Sequence, residues 1–372
     1  MKRLTVIAVL LLAGVAAPPL TTSVSPVAFP YGHSTVTPYV VADGDGFDLS
    51  WIDGKTLEFA HFDGVKWSRW NRIAHGDMLE NRADYPSIAV SGRNVFAQWR
   101  EKAGKGRRIR LSRSNDGGET WSKPVTPHPA MDREFGFVSM LPLADGTARI
   151  VWLDGREKAT ALRAATMTSA GTLGAEEVVD ARVCDCCQTS EAMTARGPVV
   201  VYRDRSENEI RDIAIAPPAA NAQSAAVHHD EWHLTGCPVN GPRIDARGAH
   251  AAVAWYTAAN AKPEVLVAFS RDGSATFGTP IRVDTGHPGG HVDVVLLADN
   301  SAIVTWVETA TPAAKVMARR VTNDGALDPP LTVGASRAAI GFPRIARSNQ
   351  SILAAWNGDD GVHLAILKPR IR

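Results

Sequence analysis

Short runs in which apolar and polar positions alternate recur along the chain, and each ends on an aromatic residue, usually with a polar or charged one after it. They read DLSWID at Trp51, FAQWRE at Trp99, RIVWLD at Trp152, VVVYRD at Tyr202, AVAWYT at Trp255, IVTWVE at Trp306 and LAAWNG at Trp356. The spacings are 48, 53, 50, 53, 51 and 50 residues, so the pattern is a repeat. A period of two predicts strands, and long stretches of helical period are scarce. Before each aromatic strand a second run is set off by a short turn, as in Tyr85-Pro86-Ser87-Ile88-Ala89-Val90, PRIDARG before Trp255 and PRIARSN before Trp356. After it come a polar loop, a β-rich run (IRLSRS, VLVAFS, KVMARRV), a tight turn and a weaker fourth strand. Four antiparallel strands in about fifty residues make one propeller blade. The expected fold is therefore an all-β propeller of seven four-stranded blades, with a six-bladed ring as the alternative. The seventh repeat stops after its third strand, at Leu364 to Lys368, and the segment Val24 to Val36 is expected to supply the missing outer strand and close the ring.

Lys2 and Arg3 precede an apolar run from Leu4 to Val15, followed by Ala16 and Ala17. This is the pattern of an export signal cut after Ala16, leaving residues 17–372 as a single propeller domain in the periplasm or outside the cell. Twelve residues are too few for a bilayer core, which takes about twenty, and no cysteine follows for a lipid anchor. With 40 Lys+Arg against 39 Asp+Glu, the chain lacks the cation excess that nucleic acid or an anionic membrane demands. No phosphate loop or GxGxxG suggests a nucleotide. The domain is expected to be a monomer.

Two turns carry a motif. Ser114-Asn-Asp116-Gly-Gly118-Glu-Thr-Trp121 joins the third and fourth strands of the second repeat, and Ser270-Arg-Asp272-Gly-Ser-Ala-Thr-Phe277 does so in the fifth. Asp116 can accept the turn's own amides, the glycines tolerate positive φ, and the terminal aromatic packs back beneath the hairpin. Thr322-Asn-Asp324-Gly325 and Phe62-Asp63-Gly64-Val65-Lys66-Trp67 are eroded copies. Here the sequence resembles the Asp-box (BNR repeat) proteins, the sialidase-like β-propellers. The segments around Cys184 and CPVNGP are similar to those of an uncharacterised exported subgroup. The resemblance implies that these boxes are structural turns on the face opposite a site. It also implies an arginine triad and a Tyr–Glu pair where the activity is sialidase, but the Arg-Ile-Pro type motif is missing: Phe29-Pro30-Tyr31 has no arginine.

The site face then carries the loops between second and third strands and the crossings from blade to blade. Those loops hold Arg100, Asp154, Arg156, Arg203, Asp204, Arg205 and Glu308. Arginines held by carboxylates suit bidentate capture of carboxylate, sulfate or phosphate, with internal ion pairing as the competing use. The crossings hold all four cysteines: Cys184, Cys186 and Cys187 enter repeat four and Cys237 enters repeat five. Cys184 and Cys237 each lie 18 residues before the repeat aromatic, hence at equivalent positions on adjacent blades. An exported chain with an even cysteine count points to disulfides, Cys237 bridging to one of the cluster. The competing reading is a Cu or Zn site, with His75, Met78, His128, Met131, His287 and His291 on other crossings as further ligands. No cofactor is required. The expected function is binding of an anionic glycan or a cell-envelope partner. The alternatives are an exo-sialidase type glycoside hydrolase and a periplasmic metal-binding protein.

Overall fold

The period-two runs form seven antiparallel sheets that follow one another along the chain. The computed structural model describes residues 22–32, 34–78, 81, 83–217, 219, 223–349 and 351–369; the expected export signal lies outside them. The innermost strands are Thr35–Asp43, Ser87–Ser91, Phe135–Pro142, Ser190–Thr194, Arg243–Arg247, Pro288–Leu296 and Arg344–Arg347. They pack side by side in chain order, and the last returns to the first. The fold is a seven-bladed β-propeller, and the six-bladed alternative is set aside. The seventh sheet is built from both ends of the chain, with Ser23–Val27 as its outer strand against Val362–Lys368, Ser23 opposite Lys368 and Val27 opposite Leu364. Six sheets have four strands. The second has three, its fourth reduced to a bridge between Leu111 and Val125. Pro124 and Pro127 flank that bridge, and a residue without an N–H cannot extend a ladder.

Every repeat aromatic lies in the second strand of its blade and is almost completely buried. The apolar clusters show what each one buries against. Trp306 packs on Val265 and Val267 of the blade before it, Trp255 on Val199 and Ile213, Trp152 on Phe96 and Ile109, and Trp99 on Ile52 and Leu57. Trp51 packs on Leu353 and Ala355 of the seventh blade, so the same contact closes the ring. The core is thus seven inter-blade layers, each keyed by one aromatic ring. Among the described residues no helix is long and apolar enough to cross a membrane.

A buried indole N–H needs an acceptor. Four repeats place a carboxylate two residues beyond the tryptophan, and three of them use it: Trp99 donates to Glu101 at 3.0 Å, Trp152 to Asp154 at 3.0 Å and Trp306 to Glu308 at 2.5 Å, whereas the Trp51 N–H does not reach Asp53. Trp255 donates instead to Asp230 at 2.7 Å, and the Tyr202 hydroxyl donates to Asp180 at 2.7 Å. The acid that follows several repeat aromatics is therefore part of the blade.

The two motif turns share one wiring. The Ser114 hydroxyl donates to Asp116 and accepts from Gly118 N–H, while Asp116 accepts from the Thr120 amide and hydroxyl. Ser270, Asp272, Ser274 and Thr276 repeat those four bonds. Gly118 has φ +91°, and a Cβ there would lie 2.4 Å from the Phe59 ring of the first blade, so this position takes glycine for two separate reasons.

Candidate functional site

The face opposite those turns carries a cleft between the second and third blades. A long hairpin, Asn94–Ala103 into Gly106–Ser114, projects there with Lys105 at its tip. The crossing Asp132-Arg133-Glu134 lies against it: Arg107 N–H donates to Arg133 O at 3.0 Å, and a Cβ on Gly106 would come within 2.2 Å of that oxygen. The third-blade loop Gly155 to Thr160 forms the other wall, tied in by Gly155 N–H to Glu134 O at 2.9 Å. The cavity measures about 520 Å³, has Phe135, Phe137 and Leu153 in its lining, and is bordered by Asp185 from the fourth blade. A second hollow of about 350 Å³ adjoins it through Lys158 and reaches Arg182 and Arg205.

The cations of this face fall into two groups. Arg100 pairs with Asp84 at 2.7 Å, both almost wholly buried. Arg107 pairs with Glu134. Arg156 bridges Asp154 and Glu176 at 2.6 Å each, and Arg205 is chelated by Glu209 at 2.9 Å. The Arg205 hydrogen bond is the largest reason that the Glu209 carboxyl sits at about 2. Lys105, Arg133 and Lys158, by contrast, are exposed on the cleft and have no ion-pair partner among the described residues.

The expected ligand-binding residues thus stand as follows. Arg203 is 1% exposed and gives its guanidinium to backbone carbonyls: Asn240 O at 2.8 and 3.0 Å, Arg211 O at 2.5 Å and Tyr256 O at 2.7 Å, with the Trp232 ring 4.9 Å away. Asp154 and Glu308 are spent on indoles, and Glu308 also takes the His287 N–H. Asp204 accepts from the Arg205 amide at 2.7 Å, and burial raises its carboxyl. Arg100 and Arg205 remain in the cavity walls with their carboxylates attached. Internal pairing is how this set is used, and the free positive charge lies on three residues the sequence reading passed over. Their signal was position: each stands at a hairpin turn or a blade-to-blade crossing on this face.

The cysteines divide. Cys186 and Cys237 form a disulfide joining the entries to the fourth and fifth blades, while Cys184 and Cys187 are buried free thiols. Next to them Gln188 spans the mouth of the channel, donating to Ala83 O and accepting from Gly241 N–H. Groups of potential ligand atoms within 4.8 Å of one another include Cys184–Cys186–Cys187 and Asp185–Cys186–Cys237; neither contains a histidine. His128 is stacked 3.6 Å from Phe135 and its Nε2 accepts from Ile109 N–H at 3.0 Å, and His291 is stacked on Phe342 at 4.1 Å. Neither ring belongs to a ligand group with the sulfurs among the described residues.

Burial lowers the pKa of both rings below the ordinary 6.5. A depressed histidine gives stability that is complete above the unfolded value and is lost as pH falls through the folded one. The loss is at most about 1.4 kcal/mol per pH unit for each ring. Denaturant titrations at pH 7 and pH 5 should show it, and His128→Asn should make the difference between the two smaller. An unchanged difference would remove His128 from the account.

The channel holds a second cluster. Asp293 lies between Arg243 at 3.2 Å and Arg344 at 3.1 Å, and also accepts Ile345 N–H at 2.9 Å. Arg344 packs over Tyr39 and Tyr85 at 4.8 and 5.9 Å. Burial raises the Asp293 carboxyl to about 6, even with Arg243 in contact. The PRI segments could have pointed here, because Arg243 and Arg344 open equivalent inner strands two blades apart.

No family model matches the sequence, and no curated protein matches it. Solved structures do. A polysaccharide lyase, a PL25 ulvan lyase, superposes with a TM-score of 0.60 at 8% identity, over 91% of this chain and 95% of its own. A protein of unknown function from Dyadobacter fermentans gives 0.53 at 12% identity, over 95% and 100%. The endosialidase of phage phi92 gives 0.52 at 9%, over 95% of this chain and 70% of its own. What they share is the fold.

Proposed function

We propose that this propeller recognises an anionic glycan in the cleft between its second and third blades. The observation that carries the reading is the trio Lys105, Arg133 and Lys158, unpaired among the described residues around a cavity of about 520 Å³. Unpaired cations on a concave polar surface favour a carboxylated or sulfated ligand over a neutral one. A lyase with the same fold has been solved bound to a repeat of GlcA and Rha3S, a polymer of that charge. The wiring of the two motif turns supports kinship with the sialidase-like Asp-box propellers. The Cys186–Cys237 crosslink supports export to an oxidising compartment, with the propeller acting as a monomer. The hydrolase alternative calls for three arginines and a Tyr–Glu pair. The channel offers Arg243 and Arg344 joined through Asp293, and no hydrogen bond links Tyr39 or Tyr85 to a carboxylate among the described residues.

Calorimetric titration with sulfated, uronate-containing and neutral oligosaccharides tests the proposal. The anionic ligands should bind and weaken as salt is raised. Lys105→Ala/Lys158→Ala should lower affinity about tenfold, two exposed pairs at about 0.7 kcal/mol each. Equal binding by the double variant, or no preference for charge, would sink the cleft. Cleavage of the ligand during titration would favour the enzyme alternative.

A further inference from the structure

Three sulfurs in contact at the entry to the fourth blade lie outside the lining of the cleft. Cys184 Sγ lies 3.4 Å from Cys187 Sγ and 3.8 Å from Cys186 Sγ, and Cys186 is the inner half of the crosslink to Cys237. Arg211 is 1% exposed and directs Nη1 at Cys184 Sγ from 3.1 Å; its Nη2 is fixed on Glu209 at 2.8 Å. A free thiol is thus held in contact with a disulfide, beside a buried guanidinium. The other end of the crosslink, Cys237, is exposed.

We infer that Cys184 is a nucleophilic thiol placed to open the Cys186–Cys237 crosslink from within, so that the cluster is a thiol–disulfide exchange site. The Cys184 thiolate attacks Cys186 Sγ; the Cys184–Cys186 bond forms as the Cys186–Cys237 bond breaks. The electron pair leaves on Cys237, which takes a proton from solvent. Cys187 then loses its proton and attacks Cys184 Sγ, giving Cys184–Cys187 and freeing Cys186 as a thiolate. One disulfide is present throughout, so no oxidant or reductant is consumed. The local electrostatics agree with these roles. Contact with the Cys187 thiol does most to hold Cys184 below the ordinary thiol range, and Arg203 and Arg211 add to it. Burial does most to keep Cys187 protonated. Arg205, Asp185 and Glu209 complete the charged surroundings. The products of exchange are an exposed thiol at Cys237 and two blade entries no longer tied together.

The test is N-ethylmaleimide labelling of the purified, unreduced protein, quenched in acid and mapped by peptide mass spectrometry. Cys237 should be labelled in the folded protein, leaving Cys184 in a disulfide with Cys186 or Cys187. Cys184→Ser should slow Cys237 labelling at least tenfold with the crosslink intact. Cys187→Ser should keep the labelling and trap Cys184–Cys186, which decides the matter even where Cys184→Ser folds poorly. Label confined to Cys184 and Cys187 would overturn the inference, as would unchanged Cys237 labelling in Cys184→Ser. So would two complete disulfides with no label before reduction.

Discussion

Arg203→Met should be the most damaging single change on the charged face, although the sequence alone places Arg203 among the candidate ligand groups. Its guanidinium satisfies the carbonyls of Arg211, Asn240 and Tyr256, which belong respectively to the fourth blade, the crossing after it and the fifth blade. Methionine fills most of the space and satisfies none of them, leaving three buried acceptors without donors. Breaking a buried network of this kind costs about 3–5 kcal/mol. At roughly 2 °C per kcal/mol for a chain this long, the melting temperature should fall by about 6–10 °C. Arg203→Lys should recover little, because an ammonium lacks the planar fork that reaches separate carbonyls. A thermal melt of both variants checks this; a shift of about 1 °C or less would mean that water or a neighbouring donor takes over the three oxygens.

Asp293→Asn should come next. The carboxylate is the common partner of Arg243 and Arg344 and takes the Ile345 amide, so it joins the inner strands of the fifth, sixth and seventh blades. Asparagine keeps the shape and removes the charge, leaving two arginines facing each other in the channel, 13% and 3% exposed. The expected loss is about 3–5 kcal/mol, read from urea unfolding. The diagnostic result lies in the double variant. Arg243→Met added to Asp293→Asn removes one of the stranded charges, so the pair should cost less than the sum of the single changes. Simple additivity would show that Asp293 acts as a packing residue.

The blade count and the ring closure were legible because they rest on period and register. Seven aromatics at near-equal spacing mark seven inter-blade layers, and a repeat that ends one strand short, at Lys368, announces where Ser23–Val27 must go. The use of individual charges was not legible in the same way. Arg100 and Lys105 lie five residues apart on one hairpin, yet the Arg100 guanidinium meets Asp84 from the preceding crossing, while the Lys105 ammonium forms no ion pair among the described residues and only its backbone amide reaches Asp132. That difference depends on which crossing lies alongside, a contact the local sequence does not encode. Asp154 and Glu308 show a related case. A carboxylate two residues beyond a strand tryptophan looks like a loop charge, and only the packing of the indole shows where its N–H points. The cysteine pairing was half legible, since equivalent blade positions brought Cys237 to the cluster without saying which sulfur it would join.

Closure through the outer strand also dictates an order of assembly. Among the described strands Ser23–Val27 precedes all others in chain order, yet its partner is the one furthest along the chain, Val362–Lys368. Until the two pair, the partial ring keeps an unpaired strand and, beside the first blade, an uncovered apolar layer around Trp51. Such a chain is open to pairing with other chains along the same edge. The two termini of the folded domain lie on one sheet at its rim, so a tag or fused domain at either end emerges beside the other and away from the channel.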